Sequence, residues 1–99
     1  MNQARVRVVA HIVAMSDKVE DVKSILLELI EPTRQESGCI AYELLQNQKD
    51  PTDFTFVEEW ESQELLNAHL ATPHLTKAAA QLEGFIAAEP DIRVYELLR

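Results

Sequence analysis

The chain has 99 residues and carries 17 acidic against 9 basic side chains, a formal net charge of −8. That sign argues against nucleic acid and anionic membrane surfaces, whose phosphates call for Lys/Arg patches; it suits solubility and is compatible with a small neutral or apolar ligand. An apolar content of 46% is that of a folded protein, one domain spanning residues 1–99 is expected, and the lone Cys39 rules out an internal disulfide or a multi-cysteine metal centre.

Residues 5–15 are valine-rich and read as strand one, with Val6, Val8, Ala10, Ile12 and Ala14 on one face and Arg5, Arg7, Val9, His11 and Val13 on the other. The apolar run from Val8 to Met15 is broken by His11, lacks a cleavage pattern and is too short to span a bilayer, so the cytoplasm is the expected location. Ser16 or Asp17 offers an N-cap, and Asp17 with Glu20 has capping-box spacing. Val19, Val22, Leu26, Leu29 and Ile30 recur at helical period, so helix one is expected from about 17 to the mid-thirties. Pro32 should kink it or end its regular part, and Gly38 is a stop signal.

Residues 39–48 read as strand two, "KDPTD" as a turn, and residues 54–61 as an antiparallel strand three. Ser62 is an N-cap candidate for a short helix over about 63–71. Thr72 followed by Pro73 starts another helix, which Gly84 stops. Residues 91–98 read as strand four. The order is β-α-β-β-α-β, an α+β ferredoxin-like plan with its second helix split at Pro73. In this plan the helices cover one face of the sheet, yet apolar residues fall on both faces of the strands. A homodimer with sheets packed face to face resolves that conflict.

On a helix over 62–71, with Leu65 at zero, Leu66 lies at about 100° and His69 at about 40°, so His69 faces the sheet. Two readings stay open. His69 is a core histidine bonded to a backbone carbonyl or to a carboxylate such as Glu58, or it is a pocket base, because an unperturbed imidazole titrates near ~6.5. His74 lies five residues on, beyond Pro73, which is not the spacing of a helical metal pair. No metal is therefore expected, and His74 reads as part of a helix start. His11 points at the dimer partner if the Val6-to-Ala14 face meets the helices. Trp60 and Glu58 share one side of strand three; Trp60 is core, lid or a stacking wall, and Tyr42 is core or a donor to a ligand. Cys39 reads as a small core residue. Phosphate-binding glycine loops, nucleophile elbows and dinucleotide fingerprints are absent from the sequence.

Three stretches, "RQESGCIAYEL" (34–44), "FVEEWES" (56–62) and "LNAHLATPHL" (66–75), resemble the antibiotic biosynthesis monooxygenase domain family. The shared pattern is R-x-E-x-G-C-x-x-Y, then E-x-W, then H-x-x-T/S-x-H. The resemblance covers nearly the whole chain. It implies a dimeric α+β barrel with a pocket in each subunit and a quinol-monooxygenase-like activity: oxidation of a small quinol or phenol by O₂ without a cofactor. On that reading His69 is the base or anion-stabilising donor, Trp60 and Phe56 are walls, Tyr42 is a donor, and Glu58 joins the substrate-binding set. The haem-degrading relatives use an asparagine, a tryptophan and a histidine where this chain has Ala10, His69 and Ala79, so haem degradation is not expected. The competing expectations are an isomerase or degrading enzyme for a small carbonyl signal molecule, and a dimeric binding module without chemistry.

Overall fold

A computed structural model of the chain describes residues 4–99. Residues 1–3 of the expected 1–99 domain lie outside the described residues. The elements are β1 (Val6–Val13), α1 (Val19–Leu27), α2 (Ile30–Arg34), β2 (Cys39–Gln46), β3 (Asp53–Trp60), α3 (Gln63–Leu70), α4 (Pro73–Leu82) and β4 (Asp91–Tyr95). This is the expected β-α-β-β-α-β order, with both helical segments in two pieces. The sheet runs β2-β3-β1-β4, and every neighbouring pair is antiparallel. None of the described helices is long and apolar enough to cross a membrane.

Strand alternation decides which face the helices cover. Val8, Ala10, Ile12 and Ala14 from β1 and its end are buried, together with Phe54, Phe56, Glu58 and Trp60 from β3 and Tyr42 from β2. Val22, Leu26, Leu29, Leu66, Ala78 and Leu82 pack on them from the helical layer. Burying side chains of this size contributes about 1.5–3 kcal/mol each. The opposite face carries His11 and the half-exposed Leu45 and Tyr95, with the partly buried Val9, Val13 and Val57 between.

The helix break lies where the chemistry of Pro32 puts it. Proline has no N–H to give the carbonyl four residues back, here that of Glu28, and its ring crowds that carbonyl. The helix ends at Leu27, and α2 restarts at Ile30. The expected cap of α1 is corrected: neither Ser16 nor Asp17 serves. The chain first makes a turn in which Lys18 N–H donates to the Met15 carbonyl at 2.9 Å, so Lys18 takes the cap position without a side-chain bond. The later starts are as expected. Ser62 Oγ accepts from Leu65 N–H at 3.3 Å, and Pro73 occupies the first turn of α4 after Thr72.

Strand four is shorter than expected, ending at Tyr95 rather than 98. Tyr95 pairs with Arg7, and β1 begins only one residue earlier, so the following residues have no neighbouring strand to bond. Strand two carries a bulge between Cys39 and Ala41, which puts Ile40 out of register with β3.

Gly38 joins α2 to β2 with φ +86°, a conformation in which side chains are strained. A Cβ there would lie 2.7 Å from Leu65 Cβ on α3. Gly84, with φ +82°, has open space around it. Gly84→Ala should therefore cost only the backbone strain, about 1–2 kcal/mol. Gly38→Ala should cost clearly more, since α3 must also move. Denaturant unfolding of the two variants checks this, and equal losses would contradict the close packing of Gly38 on Leu65.

Candidate active site

Between the helical layer and the buried face of the sheet lies a partly open cavity of about 550 Å³, within the ~300–1,000 Å³ range of small-molecule sites. Its wall is mostly aliphatic: Val8, Ala10 and Ile12 from β1, Leu26, Leu66, Leu75, Ala78 and Leu82 from the helices, and Ile92 from β4. Three polar side chains stand together on this wall, Tyr42, Glu58 and His69, with Phe56 beside them.

His69 is 2% exposed on α3, and its ring Nδ1 lies 2.8 Å from Glu36 Oε2. A carboxylate oxygen only accepts, so Nδ1 carries the proton in a neutral ring. Nε2 is then the bare nitrogen. Among the described residues Nε2 has no hydrogen-bond partner, and His69 lines the cavity. The imidazole is held in place by aromatic neighbours. The Trp60 ring lies 4.6 Å from it, centroid to centroid, and Tyr42 meets it edge-on at 5.6 Å.

Glu58 and Tyr42 face each other across the β2–β3 ladder. Burial pushes the Glu58 carboxyl above its ordinary value of 4.5, partly offset by Trp60, whose indole N–H donates to Glu58 Oε1 at 2.8 Å. Burial, with the neighbouring Glu58 charge, also pushes the Tyr42 phenol upward, so it stays a protonated donor at physiological pH. Tyr42 stacks on Phe56 at 4.8 Å, and its main-chain carbonyl accepts from Arg34 Nε and Nη2 at 3.2 and 2.9 Å. The Thr33 hydroxyl is fully buried beside this group without a well-formed hydrogen bond.

The family profile described as "Antibiotic biosynthesis monooxygenase" matches residues 5–81. The chain belongs to the antibiotic biosynthesis monooxygenase family. A crystal structure described as an antibiotic biosynthesis monooxygenase is 31% identical and superposes with a TM-score of 0.89, over 95% of this chain and 99% of the other. PA3566 from Pseudomonas aeruginosa is 25% identical with a TM-score of 0.93, over 100% and 99%. Among curated relatives, the Synechocystis protein sll1783 is 28% identical over 90 residues, covering 91% of this chain; the chain spans 61% of that relative's length.

Within this monooxygenase-family chain the sequence motifs acquire separate tasks. In R-x-E-x-G-C, Arg34 ties α2 to β2, Glu36 reaches His69, and Gly38 lets the turn approach α3. Two expectations need correction. Glu58 is not the partner of His69; it is taken by Trp60 two residues along the same strand face, while Glu36 meets His69 from the turn after α2. Trp60 does not line the cavity. It is fully buried behind His69, where it supports that ring and binds Glu58.

Glu36 and His74 are the site residues that sequence spacing does not single out. Pro73 ends the helical spacing between the histidines, but α4 folds back, and Thr72 Oγ1 fastens the bend to the His69 carbonyl at 2.8 Å. His74 Nε2 thereby comes to 2.6 Å from Glu36 Oε2, the oxygen already bonded to His69. The pair held apart in sequence meets through a shared carboxylate. The H-x-x-T-x-H spacing was visible; the glutamate 33 residues earlier gave no spacing signal. His11 sits on the other sheet face, bonded to Asp53 at 3.2 Å and Thr55 at 3.1 Å, and takes no part in the cavity.

The raised Glu58 carboxyl fixes the sign of a pH effect. Its folded state holds a proton more tightly than its unfolded state, so its contribution is fully present below about pH 4.5 and is lost as pH rises through the folded value. Glu58→Gln keeps an acceptor for Trp60 and removes the titration. The variant should gain thermal stability relative to wild type above pH 4.5 and lose that advantage below it. Melting temperatures across pH 3–8, read by circular dichroism, measure this; a parallel offset at every pH would contradict it.

Proposed function

We propose that the chain is a cofactor-independent monooxygenase that oxidises a small quinol or phenol with O₂. The observation carrying this reading is a cavity-lining His69 whose Nδ1 is backed by Glu36, which leaves Nε2 as the bare nitrogen. His69 takes the proton of the substrate hydroxyl, and Glu36 stabilises the imidazolium that results. The substrate anion is electron-rich enough to react directly with O₂. Tyr42 O–H donates to the developing oxyanion, and Glu58, which holds its own proton more tightly than a surface glutamate, borders the same space. The aliphatic wall excludes water that would stabilise the anion unproductively. For a hydroquinone, ring C–H and O₂ give the hydroxyquinone and one water: one oxygen atom enters the ring and the other leaves as water, the substrate supplying all four electrons.

The face of the sheet opposite the helices supports a homodimer, with Val9, Val13, Val57, Leu45 and Tyr95 providing the apolar area. The unpaired Cys39 thiol, pushed upward first by burial and then by Glu36 and Glu58, suits a reducing cytoplasm.

Oxygen-electrode assays on a panel of hydroquinones and anthrones, in chelator-treated buffer without flavin, test the activity. Wild type should consume one O₂ per hydroxylated quinone formed, and His69→Ala should lower the rate by about 10²–10⁴. Wild-type turnover in His69→Ala, or no uptake across the panel, would overturn the assignment. Sedimentation equilibrium at micromolar concentration should give twice the 11.2 kDa chain mass, and a monomer would defeat the dimer.

A further inference from the structure

We propose that Glu36, His69 and His74 form a binding site for one divalent transition-metal ion of the zinc class, on the side of His69 away from the cavity. Glu36 Oε2 lies 2.8 Å from His69 Nδ1 and 2.6 Å from His74 Nε2, and the three ligand atoms all lie within 4.8 Å of one another. A tetrahedral ion with bonds of ~2.0–2.1 Å needs ligand atoms ~3.3 Å apart, so the two imidazoles must draw back from the Glu36 oxygen by about 0.5 and 0.7 Å to admit it. Two imidazoles and one carboxylate select Zn²⁺, Co²⁺ or Ni²⁺ over Mg²⁺ and Ca²⁺, which favour all-oxygen shells. The site is partly sheltered. His69 is 2% exposed, Glu36 14% and His74 26%, which leaves a route in beside His74. His74 also borders a shallow groove with Glu28 and Lys77. Neither Glu36 nor His74 lines the main cavity, so the ion would not touch a substrate there.

Occupancy would nevertheless reach the cavity through the ring. An ion on Nδ1 displaces the proton that Glu36 now accepts. In a neutral imidazole that proton moves to Nε2, with no net loss. Nε2 then donates instead of accepting, and His69 can no longer take a proton from a substrate. This inhibitory consequence rests on the base assignment of His69; the ion site itself does not.

Calorimetric titration of the full chain with Zn²⁺ tests the site without any turnover. Wild type should bind one ion per chain at micromolar or lower Kd, Mg²⁺ should not bind, and Co²⁺ should show the intense visible absorption of a four-coordinate complex. His74→Ala, which removes a partly exposed side chain, and Glu36→Gln should each weaken Zn²⁺ at least tenfold, while His11→Ala should not. No Zn²⁺ binding by wild type, or equal binding by His74→Ala, would overturn the proposal. In the oxygen assay, Zn²⁺ should lower the wild-type rate at least tenfold, and His74→Ala should keep most of its own metal-free rate. Failure of the oxygenase assay with retained Zn²⁺ titration removes only the base assignment; failed titration with retained turnover removes only the ion site.

Discussion

One oxygen of Glu36 accepts from His69 at 2.8 Å and from His74 at 2.6 Å, and the placement of the polar groups around the cavity depends on that shared bond. Burying an imidazole unpaired costs about 1–3 kcal/mol or more. A hydrogen bond to a charged group returns about 1.5–3 kcal/mol, which offsets that cost. The bond also fixes which ring nitrogen holds the proton, and so decides that the cavity faces an acceptor. Without Glu36 the same buried ring could present either tautomer.

The surrounding fold keeps this carboxylate in place through contacts that touch no substrate. Gly38, with its positive φ, allows the turn bearing Glu36 to lie against Leu65, one helical turn before His69. Arg34 anchors the other side of the turn to the Tyr42 carbonyl with two hydrogen bonds. Pro73 and Thr72 bend the chain so that α4 delivers His74 from outside. Trp60 forms the back wall of the His69 ring and occupies Glu58, keeping that acid from competing for the imidazole. The result is a cavity with a largely aliphatic lining in which Tyr42, Glu58 and His69 stand together, Thr76, Glu83 and Glu89 being its other polar residues.

Much of this was legible in the sequence because it is local or periodic. Alternation in β1 put Val8, Ala10 and Ile12 on one face, which the structure buries, and the helical period placed His69 on the inward stripe with Leu65 and Leu66. Ser62, Thr72–Pro73 and the Pro32 break followed from the chemistry of single residues. What stayed hidden depends on long-range contact. The carboxylate that meets His69 lies 33 residues earlier, and the packing of Gly38 on α3 with the Arg34 anchor to β2 brings it near. The two histidines looked separated because proline ends a helix, yet the chain folds back within that bend. Spacing put Trp60 on the same side of its strand as Glu58, but its depth behind His69 depends on how α3 lies over β3, which one-dimensional spacing does not encode.

The function proposed for the cavity rests on Glu36 holding His69 as the Nδ1–H tautomer, with Nε2 bare. Long-range proton–nitrogen NMR of the imidazoles, in the metal-free protein at a pH where His69 is neutral, reads this directly. Assignment comes from the loss of the His69 signals in His69→Gln. Wild type should show a pyrrole-like Nδ1 and a pyridine-like Nε2 for His69, with the pattern weakened or lost in Glu36→Gln. A protonated Nε2 and bare Nδ1 in wild type would contradict it.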